Sequence, residues 1–303
     1  MKNMKEIEHI DNANSIDDLV RKMGKTSFNG KALSKAVDVL EEMINDKDCK
    51  MFFGQAGAMV PGGMKQIIHD FVKWSDVFVC TGATLTHDLI EGLGHRHYQL
   101  NVKISDKELN EKGYDRIYDS LMPNIVYEDL EKFVWKCLDK LDGKGISITD
   151  FLRIMGEKAP ENTILNIAFK NNTPVFCPAL SDSGIGLMIW GWEKDKNKKA
   201  NILAFEDLDQ IISISWDAKK KGVFYVGGGV PKNYIQQSMQ FSNPADYNVQ
   251  ITVDDASFGG SSGAVPEEGV SWGKLKEEGK FVNVICDATI ALPLIHSALK
   301  NRI

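Results

Sequence analysis

Six short apolar runs, each ending abruptly in small or polar residues, constrain this chain more than any other feature of its sequence. They fall at residues 51–53, 77–80, 174–177, 223–226, 249–253 and 281–286. Mostly apolar runs of this length suit buried strands. Most are separated by segments of helical period. Leu33, Val37, Leu40, Met43 and Ile44 share one stripe, as do Leu130, Phe133, Val134, Cys137 and Leu141. Pro61 and Pro231 fall where a first helical turn should begin, a position that tolerates a missing N–H. The alternation predicts an α/β fold: a mostly parallel, doubly wound (Rossmann-like) sheet with helices on both faces. Residues 1–25 read as an N-terminal arm, residues 103–124 as an insertion, and residues 26–303 as a single domain.

Composition narrows the function. The net charge of −6 excludes a general nucleic-acid binder, which would need clustered Lys and Arg. The basic runs at 194–199 and 219–221 read as solvated loop and helix-end charge. No stretch approaches the ~18 apolar residues that span a bilayer, and the first residues are too charged for a signal peptide, so no membrane role is expected. The five cysteines are dispersed without a CxxC pair, which suits buried thiols in a reducing, cytoplasmic compartment.

Ligands of open α/β sheets bind beyond the carboxyl ends of the strands. The turns there are rich in small residues. They include Gly54-Gln55-Ala56-Gly57, Thr81-Gly82-Ala83-Thr84, the segment from Pro178 to Gly184, Gly227-Gly228-Gly229, the loop holding Gly259, Gly260 and Gly263, and Asp287-Ala288-Thr289. Small residues let a ligand approach the backbone, and helix N-termini offer unpaired amides to phosphate. Taken together the turns form a candidate dinucleotide cradle, in which Asp182 or Asp287 can accept from ribose hydroxyls. Taken singly, each is equally a tight turn, and no GxGxxG is present.

A second candidate centre is the run from Glu267 to Lys274, where a lysine sits beside Trp272 between two glycines. An amine nucleophile must be partly neutral, which burial favours. The ring face of Trp272 can hold a cationic amine, and Glu268 can pair with one. A solvated Lys beside a core Trp remains the plainer alternative. His87 follows the second apolar run and faces either the cleft or the helix interior. His95-Arg96-His97 can place two imidazoles on one side of a strand, but further ligands are lacking and no metal is expected.

The segments CPALSDSGIG (177–186), VGGGVPK (226–232) and GVSWGK (269–274) resemble deoxyhypusine synthase, with CDATIALPL (286–294) and CTGATLTHDLIE (80–91) in support. The matches keep the family's order across roughly residues 51–298. The resemblance implies an enzyme that uses NAD to oxidise spermidine and carries the aminobutyl group on a lysine as an imine. That group then passes to a lysine of the hypusine-bearing translation factor. It implies Lys274 as the nucleophile, with Glu268, Trp272 and His87 on the polyamine side. It places Thr81, Asp182, Gly228, Gly229, Asp287 and Ala288 at the NAD, and it implies a homotetramer.

The chain departs from the eukaryotic pattern at four positions of the polyamine channel. Leu187 and Ser261 stand where that pattern has aspartates, Asn233 where it has a histidine, and His87 where it has an acid. In this it resembles the variant branch of bacteria and some archaea. The departures leave open a homospermidine synthase that uses putrescine, and a non-catalytic NAD-binding homologue.

Overall fold

The computed structural model describes residues 5–141 and 143–303. In chain order they form α1 (Ile16–Met23), α2 (Phe28–Asn45), β1 (Cys49–Gln55), α3 (Lys65–Trp74), β2 (Val77–Cys80) and α4 (Gly82–Gly92). There follow β3 (Tyr98–Gln99), α5 (Asp106–Glu111), β4 (Tyr114–Ile117), β5 (Ser120–Pro123), α6 (Val126–Leu138), β6 (Ile146–Ser147), α7 (Ile148–Lys158) and α8 (Ile164–Asn171). Next come β7 (Val175–Phe176), α9 (Gly184–Lys196), β8 (Ile202–Leu203), α10 (Ala204–Asp217), β9 (Lys220–Val226), α11 (Gly229–Gln240) and β10 (Ala245–Thr252). The chain closes with α12 (Glu268–Ser271), β11 (Leu275–Ile285) and α13 (Ala288–Leu299). None of the described helices is long and apolar enough to cross a membrane.

The chain divides into two compact units, residues 1–55 with 212–303 and residues 56–211. In the first, β11, β10, β9 and β1 lie side by side, all parallel. Val223, Phe224, Val249, Ile251 and Val284 are fully buried, as continuous apolar runs require. Helix α2 presents Leu33, Val37, Leu40 and Met43 to this core. The 1–25 stretch contributes α1, which packs on α13, and Arg302 near the chain's end bonds Asp17 at 2.6 Å and Asp38 at 2.7 Å.

In the second unit β2 pairs in parallel with β7, and helices α3, α4 and α6–α9 pack around them. The 103–124 insertion folds as α5 and a small antiparallel sheet of β3, β5 and β4. All six apolar runs therefore become parallel strands, with the exposed Val253 left outside β10. Cys80, Cys137 and Cys177 are buried free thiols, and burial pushes the Cys177 thiol up to about 12.

Three local readings change. Pro61 lies in a series of turns, and α3 begins only at Lys65. Helix α6 stops at Leu138, three residues before its stripe ends. Lys219 and Lys220 are solvated beside Asp48 and Asp46, but Lys221 is buried, bonded to Ser242 Oγ at 2.7 Å and Ser215 O at 3.0 Å.

Candidate active site

The segment from Glu268 to Lys274 explains its own composition. Helix α12 is a single turn whose last residue is followed by Trp272 and by Gly273 at φ +67°. The Gly273 amide bonds Val270 O at 3.0 Å and the Lys274 amide bonds Gly269 O at 2.9 Å. This pair is the Schellman closure of a helix end, and its left-handed position strongly favours glycine. The chain leaves the turn directly into β11, and Ala245 N bonds Lys274 O at 3.0 Å. The glycine thus reverses the chain so that Lys274 enters the sheet with its side chain 9% exposed.

The Lys274 ammonium lies 5.1 Å from the centre of the Trp272 ring, within cation–π range. Trp272 itself is 58% exposed, so the ring is a wall rather than a core residue. Both side chains line a cavity of about 390 Å³, together with Glu268, Ser261, Asn233 and Lys232. Three expected residues, Lys274, Trp272 and Glu268, are therefore brought together.

The sequence reading missed Lys232. Its side chain is 1% exposed, and its ammonium bonds Gln250 Oε1 at 2.8 Å and the Ala264 carbonyl at 2.7 Å. Burial pulls its pKa down to about 8; the neighbouring Lys274 adds to this and Glu268 opposes it. A lysine in the first turn of α11 reads as solvated charge, so only the polar Gln250 inside an apolar strand run hinted at a buried partner. Gln250 also donates to Ser262 O at 2.6 Å, so both side chains tie down the glycine-rich loop.

The expected cofactor positions all lie where a parallel strand turns into a helix. Thr81 caps α4 by accepting from Thr84 N at 3.3 Å. Asp182 is exposed and precedes Ser183, the cap of α9, and a Cβ on Gly82 would stand 2.4 Å from Ser183 Cβ. The turns bearing Thr81 and Asp182 are thereby held against each other. In the other unit, Gly228 caps α11 without a side-chain bond, and Asp287 caps α13, accepting from Thr289 N at 2.7 Å. Its hydrogen bonds with Thr289 hold the Asp287 carboxyl below the usual carboxylate range. Ala288 is the first residue of α13.

The glycines of α11 have different uses. A Cβ on Gly228 would meet Ser262 Cα at 2.3 Å, so that close approach is taken by the chain itself. Gly229, at φ +57°, has open space where its Cβ would be. Helix α11 has twelve residues and no side-chain cap, so its first amides are available to an anion. These residues fit a dinucleotide phosphate.

His87, on α4, belongs to a separate cluster in the second unit. Its Nδ1 lies 3.0 Å from His97 Nε2, and His97 Nδ1 lies 2.8 Å from Glu91 Oε1. Burial, with His97 adding, pulls the His87 pKa down to about 4. Burial alone would raise the Glu91 carboxyl, but the His97 bond and the Lys65 charge outweigh it and hold it low. His95 turns elsewhere, to Asp129 Oδ2 at 3.0 Å. The two histidines of the 95–97 motif thus serve different partners.

The fold and site define a parallel α/β protein with a buried lysine at the rim of a cavity and glycine-rich helix starts beyond its strands. The chain belongs to the deoxyhypusine synthase family, whose model matches residues 18–299. It is 41% identical to "Probable deoxyhypusine synthase 1" of Methanosarcina acetivorans, over 95% of this chain and 92% of that one. It is 28% identical to the "Deoxyhypusine synthase-like protein" of Coxiella burnetii, over 98% of this chain and 89% of that one. A crystal structure from Entamoeba histolytica named for the same family shares the fold, with a TM-score of 0.67 and 21% identity, covering 94% of this chain and 93% of that one.

Proposed function

We propose that this member of the family is an NAD-dependent aminobutyl transferase that uses Lys274 as a covalent carrier. The observation that carries the reading is a shielded amine, Lys274, facing an exposed aromatic wall in a cavity of about 390 Å³. That volume lies within the ~300–1,000 Å³ typical of small-ligand sites.

The protein's own groups divide the work. Glu268 and the Trp272 ring hold the cationic chain of a polyamine such as spermidine. Once the secondary amine of spermidine has been oxidised to an imine, the neutral Lys274 amine adds to its carbon, the C–N bond to the three-carbon arm breaks and diaminopropane leaves, so that Lys274 retains the four-carbon fragment as an imine. NAD, when bound, would supply the hydride acceptor; Gly229, Asp287 and Ala288 are the residues of the first unit proposed to hold it. By the family's pattern the protein acts as a cytoplasmic homotetramer, and the acceptor is a lysine of the hypusine-bearing translation factor.

One observation favours a small-molecule acceptor as a second reading. Glu268 is the only carboxylate among the described residues lining the cavity. Each buried charge of a polyamine needs a partner, so such a cavity suits a shorter or less charged amine such as putrescine.

Borohydride trapping tests the main reading. Protein incubated with NAD and spermidine, then reduced, should carry an aminobutyl mass on the peptide containing Lys274. An adduct on another lysine, or none with any common polyamine, would overturn it and leave a non-catalytic NAD-binding protein. Product analysis with putrescine, with and without an acceptor protein, separates the two acceptors.

A further inference from the structure

We propose that the second unit holds a binding site for a small apolar α-amino acid, in the cavity where α7, α8 and α10 meet the start of β7. The site shares no residue with the Lys274 cavity, and the inference does not depend on the aminobutyl reading.

The cavity has a volume of about 260 Å³. Its floor is apolar: Leu152, Leu165, Ala168 and Val175 line it, and all four are buried. Such a floor takes an aliphatic group out of water. Thr173, Pro174 and Val175 place the cavity at the amino end of β7, the edge away from the turn that carries Asp182. Among the described residues lining it, the charges are one of each sign, Asp150 and Arg153, one turn apart on α7.

Opposite charges so placed on a helix ordinarily pair with each other. Here neither forms an ion pair with any described side chain. The Arg153 guanidinium carbon lies instead 5.8 Å from the centre of the Phe169 ring of α8, which also lines the cavity. The ring holds the cation on that side and leaves its N–H groups available. On α10, Gln210 Nε2 donates to Ser147 Oγ at 3.2 Å, so the Gln210 Oε1 remains an acceptor. Asp207, one turn before Gln210, is fully buried, and its Oδ1 accepts from Thr149 N at 2.9 Å. Burial pushes the Asp207 carboxyl up to about 6; the bonds from Thr149 oppose this and the nearby Asp150 adds to it. Negative charge therefore gathers where α7 starts, and positive charge lies one turn on, against α8. A ligand that answers both carries an ammonium and a carboxylate on one aliphatic body. The ammonium donates to Asp150 and Gln210, the carboxylate accepts from Arg153, and the side chain covers Leu152 and Leu165. That is the chemistry of an amino acid such as leucine.

Calorimetry of the full chain with L-leucine and two truncated probes tests the site. Leucine should bind, whereas isoamylamine, which lacks the carboxylate, and isocaproate, which lacks the amine, should each bind about tenfold more weakly. Arg153→Gln and Asp150→Asn should each weaken leucine about tenfold, with thermal unfolding midpoints unchanged. Bound leucine should slow hydrogen exchange at 149–153 and 168–175 and leave 232–240 as it was. Leucine that fails to bind at millimolar concentration, probes that bind as tightly as leucine, or an Arg153→Gln variant of unchanged affinity would overturn the site. Protection at 232–240 instead would assign the leucine to the Lys274 cavity and overturn it equally. Tighter binding of lysine or glutamate than of leucine would overturn the apolar class.

Discussion

The two ionisable clusters differ in how their charges are satisfied. Around Lys274 two buried lysines share a cavity with one carboxylate at its rim, Glu268, and Lys232 is bonded only to neutral oxygens. Around Asp88 the charges are matched within the protein: Lys65 and His69 reach one carboxylate oxygen, and Ile164 N donates to the other at 2.6 Å. An unmatched cluster depends on the fold to hold its charges in place. A matched one supports the fold.

Breaking each cluster should therefore have opposite consequences. The largest functional effect is expected from Lys274→Arg, which stays protonated and cannot form the imine. Trapped adduct should vanish while the thermal unfolding midpoint barely moves. The largest structural effect belongs to Asp88→Ala, which leaves buried Lys65 and His69 without their carboxylate. Removing one partner of a buried pair costs about 3–5 kcal/mol, readable as a lower urea midpoint at unchanged slope.

Lys232→Met sharpens the contrast within the first cluster. It relieves an unmatched cation but strips the Gln250 and Ala264 oxygens of a donor, at about 1–3 kcal/mol for the lost bonds. Hydrogen exchange should accelerate at 259–264 before any global change appears. The smallest effect is a pH dependence. His87 titrates near 4 in the folded protein against 6.5 ordinarily, so the unfolded chain binds more protons between these values. Stability should fall as pH drops from 6.5 towards 4, by no more than about 2 kcal/mol given its partial exposure, and His87→Gln should flatten that slope.

How much of this was legible follows from the range of each signal. The six strands were readable because covered strands are mostly apolar over three to six consecutive residues, even though Gln250 and Asn283 interrupt two of the runs. Lys274, Trp272 and Glu268 were readable because they lie within one turn of chain. Lys232 was not: its burial depends on Gln250 and Ala264, eighteen and thirty-two residues on. The pairing of His87 with His97 was hidden for the same reason, since the turn after α4 brings them together. Pro61 misled because proline suits β-turns as well as first helical turns.

The contact between Gly228 and Ser262 has a consequence for kinetics. A residue larger than glycine at 228 would strike loop backbone, so the turn opening α11 and the glycine-rich loop cannot relax independently. The same loop carries the Ala264 carbonyl that holds Lys232. An occupant that shifts the α11 turn by a few tenths of an ångström therefore displaces a wall of the lysine cavity as well. Two ligands meeting at such a joint should bind in a compulsory order, and initial-rate patterns with both substrates varied should show an ordered mechanism rather than a random one.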